Sequence, residues 1–134
     1  MKNIDWKPEY SVGVGRLDKQ HQKIIQVINR LIENPNLFDN YEGLNDVLLE
    51  LTNYVSQHFL LEEQLLEENG YPDLLKHSEK HTAYGVRVAQ YCLDTLHEKS
   101  NPEELLQFLS KWWIDHILYE DMKYKPFFKS RGVI

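Results

Sequence analysis

The chain has 134 residues, a formal net charge of −6 and 42% hydrophobic residues. That is enough length and apolar content for one domain with its own core, without disulfides or structural metal. The acidic balance and the lack of a basic stripe speak against nucleic acid and against an anionic membrane surface. No stretch approaches the roughly 18 apolar residues of a membrane span, and Met1 to Trp6 contain no signal-like apolar run. The expectation is a cytoplasmic protein with no membrane insertion.

The apolar residues recur with a helical period almost throughout. An irregular arm, extended-looking from Tyr10 to Val14, covers about residues 1–17. Asp18 then caps a first helix over about 18–34, whose inward stripe is His21, Ile24, Ile25, Ile28, Leu31 and Ile32, and Asn34-Pro35-Asn36 ends it. A second helix spans about 41–69 with the stripe Leu44, Leu48, Leu51, Val55, His58, Glu62 and Leu65, closed by Asn69-Gly70.

Pro72 opens a third helix over about 72–98, with Leu74, His77, His81, Tyr84, Val88 and Cys92 inward. Asn101-Pro102-Glu103-Glu104 is a helix-start signature, placing a fourth helix over about 102–121 with Leu105, Leu109, Trp112 and His116 inward. Four helices with short connections predict an all-α, up-down-up-down four-helix bundle with an irregular N-terminal arm, one domain over residues 1–134. The lone cysteine, Cys92, falls on an apolar stripe and reads as an inert core residue.

The stripes are interrupted where leucine is expected, by His21, His58, Glu62, His77, His81 and His116. Each such group costs several kcal/mol when buried without a partner. One is unremarkable, but six at compatible depths on four helices call for a common partner, and a metal centre supplies it. His58 and Glu62 are four apart, as are His77 and His81, so each pair shares a helix face. His116 and Asp121 are five apart, about 140° around a regular helix. A π-type widening near residues 117–120 would bring both to one site, but periodicity alone does not choose Asp121 over Glu120.

At this point the chain resembles the hemerythrins, in particular the single-domain bacterial ones. The resemblance rests on Trp6, on Tyr10-Ser11-Val12-Gly13-Val14, on Leu17-Asp18-Lys19-Gln20-His21 and on His58-x-x-x-Glu62. It continues through Tyr71-Pro72, His77-x-x-x-His81, Trp112, His116-x-x-x-x-Asp121 and Lys123-Tyr124. It implies two iron ions as cofactor. His77, His81 and His116 would bind one and His21 and His58 the other. Glu62 and Asp121 would bridge them, with an oxo or hydroxo group as third bridge.

That ligand count leaves one position open, on the iron of His21 and His58, as the place for dioxygen. A histidine-rich set also differs from the carboxylate-rich sites of ferritin-like oxidases. The implied function is reversible dioxygen binding for carriage, storage or scavenging, without catalysis. An oxygen-consuming protein partner is an open possibility. The alternatives are an oxygen or redox sensor acting through a partner, a di-iron enzyme handling peroxide or nitric oxide, and iron storage.

Trp112 and Trp113 are the oxygen-pocket candidates. Trp113 departs from the family, which usually has a smaller aliphatic residue there, often leucine. If it faces the site, it narrows or gates the pocket. His97 reads as a solvated residue near a helix C-terminus. Glu63, Glu67 and Glu68 read as solvated, and Lys123-Tyr124-Lys125 as packing and solvent-facing charge.

Overall fold

A computed structural model describes residues 1–98 and 101–134. The protein is an all-α four-helix bundle, with no strand among the described residues. Its helices are α1 (Gly15–Glu33), α2 (Tyr41–Glu68), α3 (Leu74–Leu96), α4 (Pro102–Asp115) and a short α5 (Lys125–Ser130). Around the bundle, α1 packs on α2 and α4, and α3 packs on the same two.

Local chemistry sets the ends of these helices. The Asn40 side chain accepts a hydrogen bond from the Gly43 N–H (3.1 Å) at the start of α2. At its other end Gly70 takes φ +72°, the Tyr71 N–H reaches Leu66 O (2.9 Å) and the Gly70 N–H reaches Glu67 O (3.1 Å). That is the Schellman pattern, and it requires the left-handed glycine. Asn101 accepts from the Glu104 N–H (2.9 Å) and Pro102 is the first residue of α4, as the signature predicts.

Three boundaries differ from the sequence reading. Asp18 does not cap α1, which starts three residues earlier at Gly15. Its carboxylate instead accepts from the Ser11 hydroxyl (2.5 Å) and the Val12 N–H (2.9 Å), clasping the arm onto the helix. Pro72 lies in a turn ahead of α3, where Tyr71 O accepts the Leu74 N–H (3.3 Å). The fourth helix, read to about 121, is regular only to Asp115; a widened segment over His116–Glu120 and a 3₁₀ turn over Asp121–Lys123 then lead into α5, which the sequence reading did not include.

Two apolar clusters form the interior. The larger is built on Ile24, Ile28, Leu31, Leu48, Leu51, Leu105 and Leu109. The smaller gathers Val12 and Val14 of the arm, Leu17, Leu65, Leu66, Tyr124 and Phe128. Cys92 lies buried in the larger cluster, where desolvation pushes its thiol up to about 12, as suits an inert core residue.

The Asp18 clasp ties the arm to the bundle through a charged acceptor, as the Asn3 amide does by donating to Glu33 near the other end of α1. Asp18→Ala should cost about 1.5 kcal/mol, the scale of a hydrogen bond to a charged acceptor, with the loss confined to the arm. Denaturant unfolding and amide exchange at Val12 would measure it; unchanged protection at Val12 would contradict it.

Candidate metal centre

A polar layer crosses the bundle interior. His21, His58, Glu62 and Asp121 are each 0% exposed, and His77, His81 and His116 are at most 5% exposed. Helix α1 supplies His21, α2 supplies His58 and Glu62, and α3 supplies His77 and His81. The last two come from the end of α4, where the helix widens into a π segment over His116–Glu120. Within it the Asp121 N–H bonds back to His116 O, five residues away. The extra residue in that turn brings Asp121 round to the face of His116, which resolves the geometry that a regular helix forbids. Glu120 goes the other way, pairing at the surface with Lys80 (2.7 Å) and Lys123 (3.4 Å).

The two carboxylates each present one oxygen to either side of the layer. On one side Glu62 Oε2 lies 3.0 Å from His58 Nε2, and Asp121 Oδ2 lies 2.9 Å from His21 Nε2. On the other, Glu62 Oε1 faces His77 Nε2 and lies 3.0 Å from His81 Nε2. Asp121 Oδ1 lies 3.0 Å from His116 Nε2. Ligand atoms of His21, His58, Glu62 and Asp121 fall within 4.8 Å of one another, as do those of Glu62, His77, His81 and Asp121. His116 joins the second set through Asp121 Oδ1.

Several of these contacts are close without being hydrogen bonds. His81 Nε2, His116 Nε2 and both Asp121 oxygens are buried and have no hydrogen-bond partner. Orphaned polar atoms of this kind are costly unless something else satisfies them. Imidazole nitrogens and carboxylate oxygens converging on the same points are the donor set of a cation such as iron or zinc, so the residues fit a pair of metal ions.

Outer hydrogen bonds set the imidazoles for that role. His58 Nδ1–H donates to Gln20 Oε1 (2.8 Å) and His81 Nδ1–H donates to Glu63 Oε2 (3.2 Å). With Nδ1 committed as donor, Nε2 is the nitrogen that each presents to the layer. Tyr124, fully buried, donates its hydroxyl hydrogen to Glu62 Oε2 at 2.8 Å. Glu63 is thus a partner of the layer rather than the solvated group expected, and Tyr124 is more than packing. Gln20, Glu63 and Tyr124 come from positions whose local pattern carries no metal signal; only the fold brings them in.

The electrostatics follow from burial. Desolvation pushes the Glu62 carboxyl up, but His58, His77 and His81 hold it well below the usual carboxylate range. Desolvation and the neighbouring Glu62 push Asp121 up, and His116 and His21 outweigh them, so it too stays below that range. Burial opposes charge on His58, yet Glu62 and Asp121 raise it to about 9. Burial and the adjacent His58 push His21 down. Both carboxylates are therefore ionised, with His58 carrying a compensating proton that a cation would displace. Burial, then Asp121 and Glu62, push the Tyr124 phenol well up, so it remains a donor.

Aromatic rings line both flanks. Trp113, with no exposed surface, sits edge-on to His21 (5.4 Å) and His58 (5.6 Å), and its indole N–H donates to His21 O at 3.3 Å. Trp113 also stacks on His116 (5.7 Å), and Trp112, 5.0 Å from Trp113, lies against the same imidazole at 5.9 Å. His97 is exposed at the end of α3, outside the layer.

Fold and site together define a helical-bundle protein with a buried histidine–carboxylate centre for cations. Residues 12–128 match the model of the hemerythrin HHE cation binding domain family. The chain is 32% identical over 124 residues to a bacteriohemerythrin of Stenotrophomonas maltophilia, covering 92% of this chain and 80% of the relative. It is 29% identical over 124 residues to one from Clostridium acetobutylicum, covering 89% and 96%. A hemerythrin-like protein of Naegleria gruberi is 31% identical over 122 residues, covering 91% of each chain. A crystal structure of wild-type hemerythrin superposes with a TM-score of 0.82 at 25% identity, over 93% of this chain and 97% of that one. The chain belongs to the hemerythrin family.

Removing a carboxylate from the layer should abolish stoichiometric metal uptake. Elemental analysis after loading and desalting should show metal lost in Glu62→Ala and in Asp121→Ala, and kept in His97→Ala. Full metal content in Glu62→Ala would contradict the centre. Metal at a hundredfold excess over its dissociation constant should also stabilise the chain by about 2.7 kcal/mol per site, reversed by a chelator. Thermal unfolding reads that shift.

Proposed function

We propose that His77, His81 and His116 hold one iron ion and His21 and His58 a second. Glu62 and Asp121 bridge them together with an oxo or hydroxo group, and the protein binds dioxygen reversibly. The observation that carries this reading is the division of the two carboxylates, one oxygen of each to either side of the layer. Family membership supports it. Iron, when bound, supplies the reversible exchange of electrons that lets dioxygen be held and released unchanged.

The chain's own residues account for the rest. Five imidazoles keep the ligand set mostly neutral, so only two anionic groups offset the metal charge inside an apolar core. Gln20 and Glu63 fix the tautomers of His58 and His81. The side of His21 and His58 has two imidazoles against three opposite, so it is the side with room for a further ligand. Trp113 covers that side with an apolar ring held by its own hydrogen bond to His21 O, which limits access to small molecules and keeps bulk water away. Trp112 and Trp113 both stack on His116.

The reduced, iron-loaded protein should gain a visible charge-transfer band on admission of air and lose it again when oxygen is removed. Immediate, irreversible conversion to the ferric form with no such band would overturn the oxygen-binding reading. Sustained turnover of peroxide or nitric oxide would favour an enzyme on the same scaffold. Trp113→Leu should speed the entry of azide about tenfold, a barrier change near 1.4 kcal/mol, read by stopped-flow absorbance. An unchanged rate would show that Trp113 does not guard the site.

A further inference from the structure

Glu62 carries a demand that its helix cannot meet. Its carboxylate has to present Oε1 to His77 and His81 and Oε2 to His58 at the same time. The last torsion of a glutamate is broad and only roughly two-fold, so the backbone of α2 leaves the carboxylate's rotation unset. Rotated about that bond, the same group would turn both oxygens toward one set of imidazoles and leave the other set short of a donor.

Beside the His77 contact at Oε1, a hydrogen bond from a neutral donor restricts this freedom at Oε2. The Tyr124 hydroxyl donates to Oε2 at 2.8 Å, and both groups have no exposed surface. The bond goes to the oxygen on the His58 side and leaves Oε1 to the imidazoles of α3. The phenol ring is itself held firmly: Phe128 meets it edge-on at 5.0 Å and His77 at 5.5 Å. Around these lie Val12, Val14, Leu17, Leu65 and Leu66. Tyr124, at the start of α5, thus links the cluster of the arm and α5 to the polar layer.

We propose that Tyr124 is the positioning residue that holds Glu62 across the two halves of the centre, and that it governs retention of the metal on the His21 and His58 side. This rests on the two-metal reading above. The His21 and His58 side depends on it more, because it has one imidazole fewer to compensate for a displaced carboxylate oxygen.

Tyr124→Phe keeps the ring and removes only the hydroxyl. The experiment loads wild type and variant with ferrous iron without oxygen and follows transfer to a chromophoric chelator. Wild type should release its two ions in two phases. In Tyr124→Phe the faster phase should accelerate by about 10- to 100-fold, the usual scale for losing an outer partner of a metal ligand, while the slower phase moves little.

Phe128→Leu separates positioning from packing. It loosens the same cluster but keeps the hydroxyl, so it should lower the unfolding temperature of the metal-free chain and leave the ratio of the two release rates unchanged. Equal release by Tyr124→Phe and wild type, or equal acceleration of both phases, would overturn the proposal. Wild type that takes up a single ion would instead overturn the two-metal reading on which it rests.

Discussion

Two carboxylates, Glu62 and Asp121, are fully buried in the middle of a helical bundle and stay ionised there. In a low-dielectric interior, such a pair is unfavourable without nearby positive charge. Five imidazoles gather around them, and the arrangement leaves polar atoms of His81, His116 and Asp121 without a hydrogen-bond partner. A protein without a ligand there would have done better with leucine at most of these positions. The centre is comprehensible as a donor set held open for cations, and much of the remaining structure reads as the means of holding it.

The apolar clusters do this from two directions. The larger one, in the body of the bundle, fixes the spacing of α1 to α4 and so the distance between His21, His58 and the residues of α3. The smaller one ties the arm and α5 to the ends of α1 and α2 and delivers Tyr124 to Glu62. Asp18 and Ser11 fasten the arm so that Val12 and Val14 can complete that cluster. The π segment at the end of α4 gives up regular helical bonding to turn Asp121 inward beside His116. Local irregularity at that point is the structural cost of a ligand pair spaced five apart.

How far the sequence could be read depended on whether a feature was local. The bundle was legible because apolar spacing and the signals at Asn69-Gly70 and Asn101-Pro102 are local. The pairs His58 with Glu62 and His77 with His81 were legible for the same reason, since four residues return a side chain to the same face. Asp121 was not, because its inward placement depends on the widened turn; the spacing raised the question and the family resemblance answered it. Gln20, Glu63 and Tyr124 were out of reach of any period. Each lies next to a ligand or among charged residues in sequence, and only the packing of α1 on α2, α2 on α3 and the C-terminal turn on α2 gives it a role. Trp113 stood out only as a departure from the family, and the fold places its ring against His21, His58 and His116.

The two halves of the centre are unequal in their imidazoles, in the tryptophan against them and in the Tyr124 bond to one oxygen of Glu62. All of that has meaning only if two cations share Glu62 and Asp121. A crystal structure of the iron-loaded protein, with anomalous data recorded at the iron edge, tests this most directly. The account predicts two peaks, one against His21 and His58 and the other against His77, His81 and His116, both in contact with Glu62 and Asp121. A single peak, or iron bound away from the two carboxylates, would contradict it.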